Sequence, residues 1–144
     1  MSSEFASDVL HEWVVVVIDD EPDSLEVAQL VLEYYGADVK TAVNGADGLA
    51  AIRQYRPRFV VCDISMPVLD GWGVIREMQH DPALTHIPAI ALTAHAMVGD
   101  RERALSAGFH SYLPKPLTPA TFINDLFRLL VDIPEFKIAL SPRS

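Results

Sequence analysis

The residues of this sequence best suited to joint chemistry stand just past short apolar runs. Asp19, Asp20 and Glu21 follow Trp13–Ile18, Asp63 follows Phe59–Cys62, Thr93 ends Ile90-Ala91-Leu92, and Lys115 sits between Pro114 and Pro116. Carboxylates held close together repel one another, and without a counter-charge one or more takes up a proton. A divalent cation is the simplest remedy. Oxygen donors alone favour a hard ion, and one that keeps several waters while using one or two carboxylates is Mg²⁺ rather than a caged Ca²⁺. None of the five histidines pairs with the single cysteine at zinc-ligand spacing. Metal, lysine, threonine and carboxylate together match phosphoryl transfer to an aspartate, in which the carboxylate attacks in line while cations hold the equatorial oxygens. Asp63 is the expected acceptor, because it stands alone at the end of a strand in the middle of the predicted sheet.

That chemistry requires elements that bring these distant residues together. Short apolar runs alternate with helical periodicity along the chain, the signature of βα units around a parallel sheet. The run 13–18 is β-branched without polar alternation, as in a central strand buried on both faces. Pro22 suits the first turn of a helix that carries Leu25, Ala28, Leu32 and Tyr35 inward and stops at Gly36. A more polar strand, 38–43, belongs nearer an edge. Asn44 caps a helix through Tyr55, 59–64 is the third strand, and a turn-rich loop leads into a helix with Val74, Ile75 and Met78 inward. A strand from Ile87 to Thr93, a helix over 101–107, a short strand over 111–113 and a helix capped by Thr118 and running to about Val131 complete the series. The expected fold is a single doubly wound three-layer α/β domain, with a five-stranded parallel sheet of order 2-1-3-4-5 and five helices. Open sheets of this kind bind their ligands beyond the carboxyl ends of the strands.

Four segments in this order resemble the receiver domains of two-component response regulators: Val-Val-Ile-Asp-Asp-Glu-Pro (16–22), Val-Cys-Asp-Ile-Ser-Met-Pro-Val-Leu-Asp-Gly (61–71), Ala-Leu-Thr-Ala (91–94) and Tyr-Leu-Pro-Lys-Pro-Leu-Thr (112–118). The resemblance runs from 13 to 131, leaving an N-terminal extension of 1–12 and a tail of 132–144. It implies a flavodoxin-like fold in which Asp63 accepts a phosphoryl group from a phosphohistidine. Asp20 and Asp63 would be direct Mg²⁺ ligands, Asp19 would act mainly through water, and the Ser65 backbone carbonyl would complete the protein's share. Lys115 would contact the phosphoryl group, with a cis Lys115-Pro116 bond, and Thr93 and Tyr112 would form the switch pair. Ser65 and His95 fall at positions that tune the lifetime of the acyl phosphate. Implied partners are a histidine kinase or histidine phosphotransfer protein, and a homodimer through the fourth helix, fifth strand and fifth helix.

The composition narrows the alternatives. A chain of 144 residues holds one domain with short tails, so an output module of ordinary size is not expected within it. Eleven Lys and Arg against 20 Asp and Glu give a net charge of −9, the wrong sign for holding phosphate backbones or anionic membrane. The longest apolar run has six residues, far short of the roughly 20 a membrane span needs, so no membrane insertion is expected. Met1–Ser7 lacks the basic start and apolar stretch of a secretory signal, and one cysteine makes no disulfide framework, so a cytoplasmic location is expected. Cys62, inside an apolar run, reads as a buried structural thiol.

Taken alone, Asp19-Asp20-Glu21 is also what an acidic first helical turn looks like. Asp63 has no such reading, because a lone buried carboxylate is costly. Two functions share part of the constellation. A Mg²⁺-dependent phosphatase of the haloacid dehalogenase type places its nucleophile in an Asp-x-Asp pattern after the first strand, where this chain has Asp-Asp-Glu. A flavin-binding electron carrier wants a Ser-, Thr- and Gly-rich phosphate loop there, and an acidic loop repels the flavin phosphate. The first helix, through Val27, Leu30, Val31 and Tyr34, and the last helix, with two apolar stripes, are more apolar than one core face needs. Each reads as a wide core contact or as a docking surface for a kinase, a phosphotransfer domain or a second copy. In the tail, Ile133, Phe136, Ile138 and Leu140 either pack back on the domain or begin a linker.

Overall fold

The structure is a computed structural model that describes residues 8–64, 66, 69–94, 99–133 and 136. Its elements are β1 (Val14–Ile18), α1 (Pro22–Tyr34), β2 (Asp38–Ala42), α2 (Gly45–Tyr55), β3 (Phe59–Asp63), α3 (Gly71–His80), β4 (Ala89–Thr93), α4 (Asp100–Ala107), β5 (Ser111–Pro114) and α5 (Pro119–Leu130). All strand pairs are parallel and the order is β2-β1-β3-β4-β5, as expected from the alternation of runs. The polar strand β2 lies at an edge and β3 occupies the centre. Element bounds differ from expectation by a residue or two. β4 begins at Ala89 because Pro88 has no N–H to give the ladder, although its carbonyl still accepts from Val60 at 2.9 Å.

Strand side chains alternate between the two faces, and each face receives its own helices. Val15, Val17, Phe59, Val61, Ile90 and Leu92 meet α1 and α5, whereas Val16, Ile18, Val60, Cys62, Ala89 and Ala91 meet α2, α3 and α4. Central strands covered on both sides explain why the runs show no polar alternation. Both stripes of α5 are core, since Phe122, Ile123, Leu126, Phe127 and Leu130 are all buried. These apolar stripes are thus a wide core contact, and what α5 exposes is its polar side, with Thr121, Asn124 and Arg128. On α1, Val31 is also core, but Leu30 and Tyr34 are 59% and 52% exposed.

Local chemistry sets the helix ends. The Asn44 side chain accepts from Asp47 N at 2.8 Å and caps α2 as expected. Asp70 caps α3 in the same way, accepting from Gly73 N at 3.0 Å. Thr118 occupies the cap position of α5 but its hydroxyl makes no bond to the helix backbone; it pairs with the Thr121 hydroxyl instead. Gly36 follows α1 at φ 100°, a conformation that disfavours any side chain, and the chain there lies against His11. Leu10 N donates to Tyr35 O at 2.8 Å, and Leu10 is fully buried. Trp13 meets Phe136 with ring centroids 5.1 Å apart and Phe59 at 6.4 Å. Ile133 and Phe136 therefore pack back on the domain, closing the amino end of the sheet; Ile138 and Leu140 lie outside the described residues.

Candidate functional site

The carboxyl ends of four strands converge as the ladder registers require. Asp19 continues β1, with its N–H donating to Ala42 O at 3.0 Å, and Ile64 N reaches Leu92 O at 3.0 Å just past Asp63. Thr93 lies opposite Pro114, and its carbonyl accepts from Lys115 N at 2.8 Å. The Lys115-Pro116 peptide is cis, as the resemblance implies. Gly71 has a role that its place in a turn does not reveal. A Cβ there would stand 2.6 Å from Asp63 O, so only glycine lets α3 start so close behind the end of β3.

Lys115 binds the carboxylates together. Its ammonium donates to Asp19 Oδ1 at 3.0 Å, to Asp63 Oδ2 at 3.2 Å and to Glu21 Oε1 at 3.2 Å. Asp19 and Asp63 are buried, whereas Asp20 and Glu21 face solvent. Burial pulls the Lys115 pKa down, but the hydrogen bond and charge of Asp19, together with Asp63, outweigh it and hold the amine above its ordinary value. The hydrogen bond from Ser24, followed by the bond and charge of Lys115, holds the Glu21 carboxyl below its usual value. Burial first, then the neighbouring charges of Asp63, Asp19 and Asp70, pushes the Cys62 thiol up. Cys62 is thus an inert neighbour, as its apolar run indicates.

A cavity of about 400 Å³ opens over this cluster, lined by Asp20, Glu21, Pro22, Asp63, Thr93, Ala94 and Lys115. Carboxylate oxygens of Asp19, Asp20 and Asp63 lie within 4.8 Å of one another. Asp19 Oδ2 is buried and, though 3.0 Å from Lys115 Nζ, has no hydrogen-bonding donor. An acceptor left in that state within an all-oxygen donor set fits a hard divalent cation.

Of the residues expected at the site, Asp19, Asp20, Asp63, Thr93 and Lys115 are brought together. Tyr112 is on the neighbouring strand, opposite Ala91, and packs half-buried against the core cluster that includes Ala91, Ala104 and Phe109, as Trp72 and Met66 also do. Ser65 and His95 lie outside the described residues. The link from Ser24 through Glu21 to Lys115 was not legible beforehand. Ser24 is buried and donates to Glu21 Oε1 at 2.7 Å, and the only sequence signal is their three-residue spacing at the start of α1.

The family model for the response regulator receiver domain matches residues 15–127. The chain is 32% identical over 118 residues to the polar-differentiation response regulator DivK of Brucella anthropi, covering 82% of this chain and 96% of that one. It is 39% identical over 119 residues to the transcriptional regulatory protein PrrA of Mycobacterium tuberculosis, covering 81% of this chain but only 49% of PrrA. The receiver domain of the sensor histidine kinase PA1611 of Pseudomonas aeruginosa, solved with magnesium coordinated in its active-site cleft, superposes with a TM-score of 0.72 at 31% identity, covering 82% of this chain and 97% of that domain. Among the described residues no helix is long and apolar enough to cross a membrane. The strand order, the acidic cluster under Lys115 and these likenesses agree that this chain belongs to the family of response regulator receiver domains of two-component signalling.

Proposed function

We propose that Asp63 is the phosphoacceptor, and that the chain acts on no substrate but itself. The observation that carries this is the Lys115 ammonium, 3.2 Å from Asp63 Oδ2 in a cavity also lined by Thr93 and Asp20. In the transfer, a carboxylate oxygen of Asp63 forms a bond to phosphorus as the phosphorus–nitrogen bond of a phosphohistidine breaks. The imidazole nitrogen leaves with the electron pair, and because the other ring nitrogen of the phosphohistidine carries a proton, the group departs as neutral imidazole rather than as imidazolate. Lys115, kept protonated by its carboxylate neighbours, offsets charge on the phosphoryl oxygens. Asp20 and Asp63 would hold Mg²⁺ directly, Asp19 mainly through water, and the Ser65 carbonyl would complete the protein's share. Bound there, the ion supplies positive charge to the phosphoryl oxygens.

The Thr93 hydroxyl, donating to a phosphoryl oxygen, draws its loop inward and makes room for the Tyr112 ring. The signal then leaves along α4, β5 and α5, the face through which a homodimer would also form. The donor is a histidine kinase or a histidine phosphotransfer protein. A single buried cysteine fits the cytoplasm, where such donors act. Ser65 and His95 tune how fast the acyl phosphate is lost.

The test is exposure to a small acyl-phosphate donor with and without Mg²⁺, followed by intact mass. A single phosphate adduct that needs Mg²⁺ and is absent in Asp63→Asn is expected. An adduct that persists in Asp63→Asn, or none in the parent, overturns the assignment.

A further inference from the structure

Arg53 sorts the charges on α3. Its guanidinium reaches Glu77 at 3.7 Å and Asp81 at 3.8 Å, drawing both carboxylates toward α2. On the side facing α4 lies a groove of about 360 Å³ with a floor of Trp72, Ile75 and Ala107 and a rim of Arg76, His80 and Arg103. The Arg103 guanidinium lies over the Trp72 ring, 4.2 Å from its centroid. Neither Arg76 nor Arg103 has an ion-pair partner among the described residues. A cationic rim around an apolar floor is out of keeping with a chain of net charge −9.

The complementary surface is on the same molecule. α1 exposes Leu30 and Tyr34, an i, i+4 pair on one stripe. Glu26 and Glu33 stand four and three residues from Leu30, both exposed and without an ion-pair partner among the described residues. This is an acidic amphipathic helix with two large anchors. The groove is flanked by ten residues of α3 and eight of α4, roughly 12 to 15 Å of helix, which suits two to three turns of a guest.

We propose that α1 of one copy docks into the α3–α4 groove of a second copy, with Leu30 and Tyr34 on the Trp72 floor and Glu26 and Glu33 against Arg76 and Arg103. α1 and the α3–α4 pair cover opposite faces of the sheet, so one molecule can use both surfaces at once. The contact is heterologous and builds chains of molecules rather than a closed pair. Residues 137–144, with Lys137, Arg143 and no acidic side chain, have the wrong sign to fill the groove themselves.

Sedimentation velocity of the unphosphorylated protein tests this. At roughly 0.5 mM and low salt the average mass should reach at least about twice the monomer's, and fall back in high salt. Arg76→Glu with Arg103→Glu, and separately Leu30→Glu, should each stay monomeric; all three positions are exposed, and circular dichroism checks the fold. Mixing the two variants should restore a complex that stops at two molecules, because one good groove then meets one good helix. A parent that stays monomeric, variants that still associate, or a mixture that does not recover overturns the proposal. Capture of the groove variant's loss by an unrelated symmetric interface is recognised by that last result.

Discussion

The two ends of the sheet are built for opposite ends. At the amino end Trp13, Phe59 and Phe136 close ring against ring, and Leu10 seals the gap between β1 and α1. At the carboxyl end β1, β3 and β4 lead to Asp19, Asp63 and Thr93 at and beneath a cavity where one lysine must answer three carboxylates. One end lowers the free energy of the fold through apolar burial. The other tolerates a buried, incompletely paired charge that an apolar replacement would avoid. Stability and chemistry are thus separated by the length of a five-residue strand, and each can be disturbed without the other.

Breaking the chemical end should give the largest effect. Asp63→Asn abolishes the phosphate adduct by intact mass, while its thermal midpoint stays level or rises, since a buried negative charge is removed beside Asp19. Phe136→Ala should do the reverse, costing about 3 to 5 kcal/mol by urea titration while phosphorylation per folded molecule is unchanged. Mg²⁺ at a hundredfold excess over its dissociation constant should add about 2.7 kcal/mol to the parent, and the same increment to Phe136→Ala, but nothing when Asp20 and Asp63 are both replaced by Asn. The smallest effect belongs to Glu21. Its lowered pKa means that its contribution is present above the ordinary value of 4.5 and lost as the pH falls through the folded value, so Glu21→Gln should lower stability slightly above pH 4.5 and converge on the parent in acid.

The fold was legible because β1, β3 and β4 are buried on both faces and must be written in unbroken apolar letters, whereas edge strand β2 need not be. Asp63 was legible for the same reason, as the only charge its strand carries. What escaped was decided by packing across the chain. Nothing about Ser24 says that it will lie buried against Glu21, nor about Gly71 that the carbonyl of Asp63 will fill its missing side-chain space. The double stripe of α5 left core and docking surface undivided, and only the depth of the α1–α5 contact assigns it to the core. Thr118 shows the converse, a capping residue at a capping position whose hydroxyl finds a side chain first.

The ring contact between Trp13 and Phe136 joins residues that leave the ribosome at nearly opposite times. β1, although made first, pairs with β2 and with β3, which begins at residue 59, and its outer end is covered only when residue 136 has emerged. A nascent chain therefore carries its most apolar strand without its final cover until the end of the domain has been made, and Asp63 meets the ammonium that pairs with it only when residue 115 has emerged.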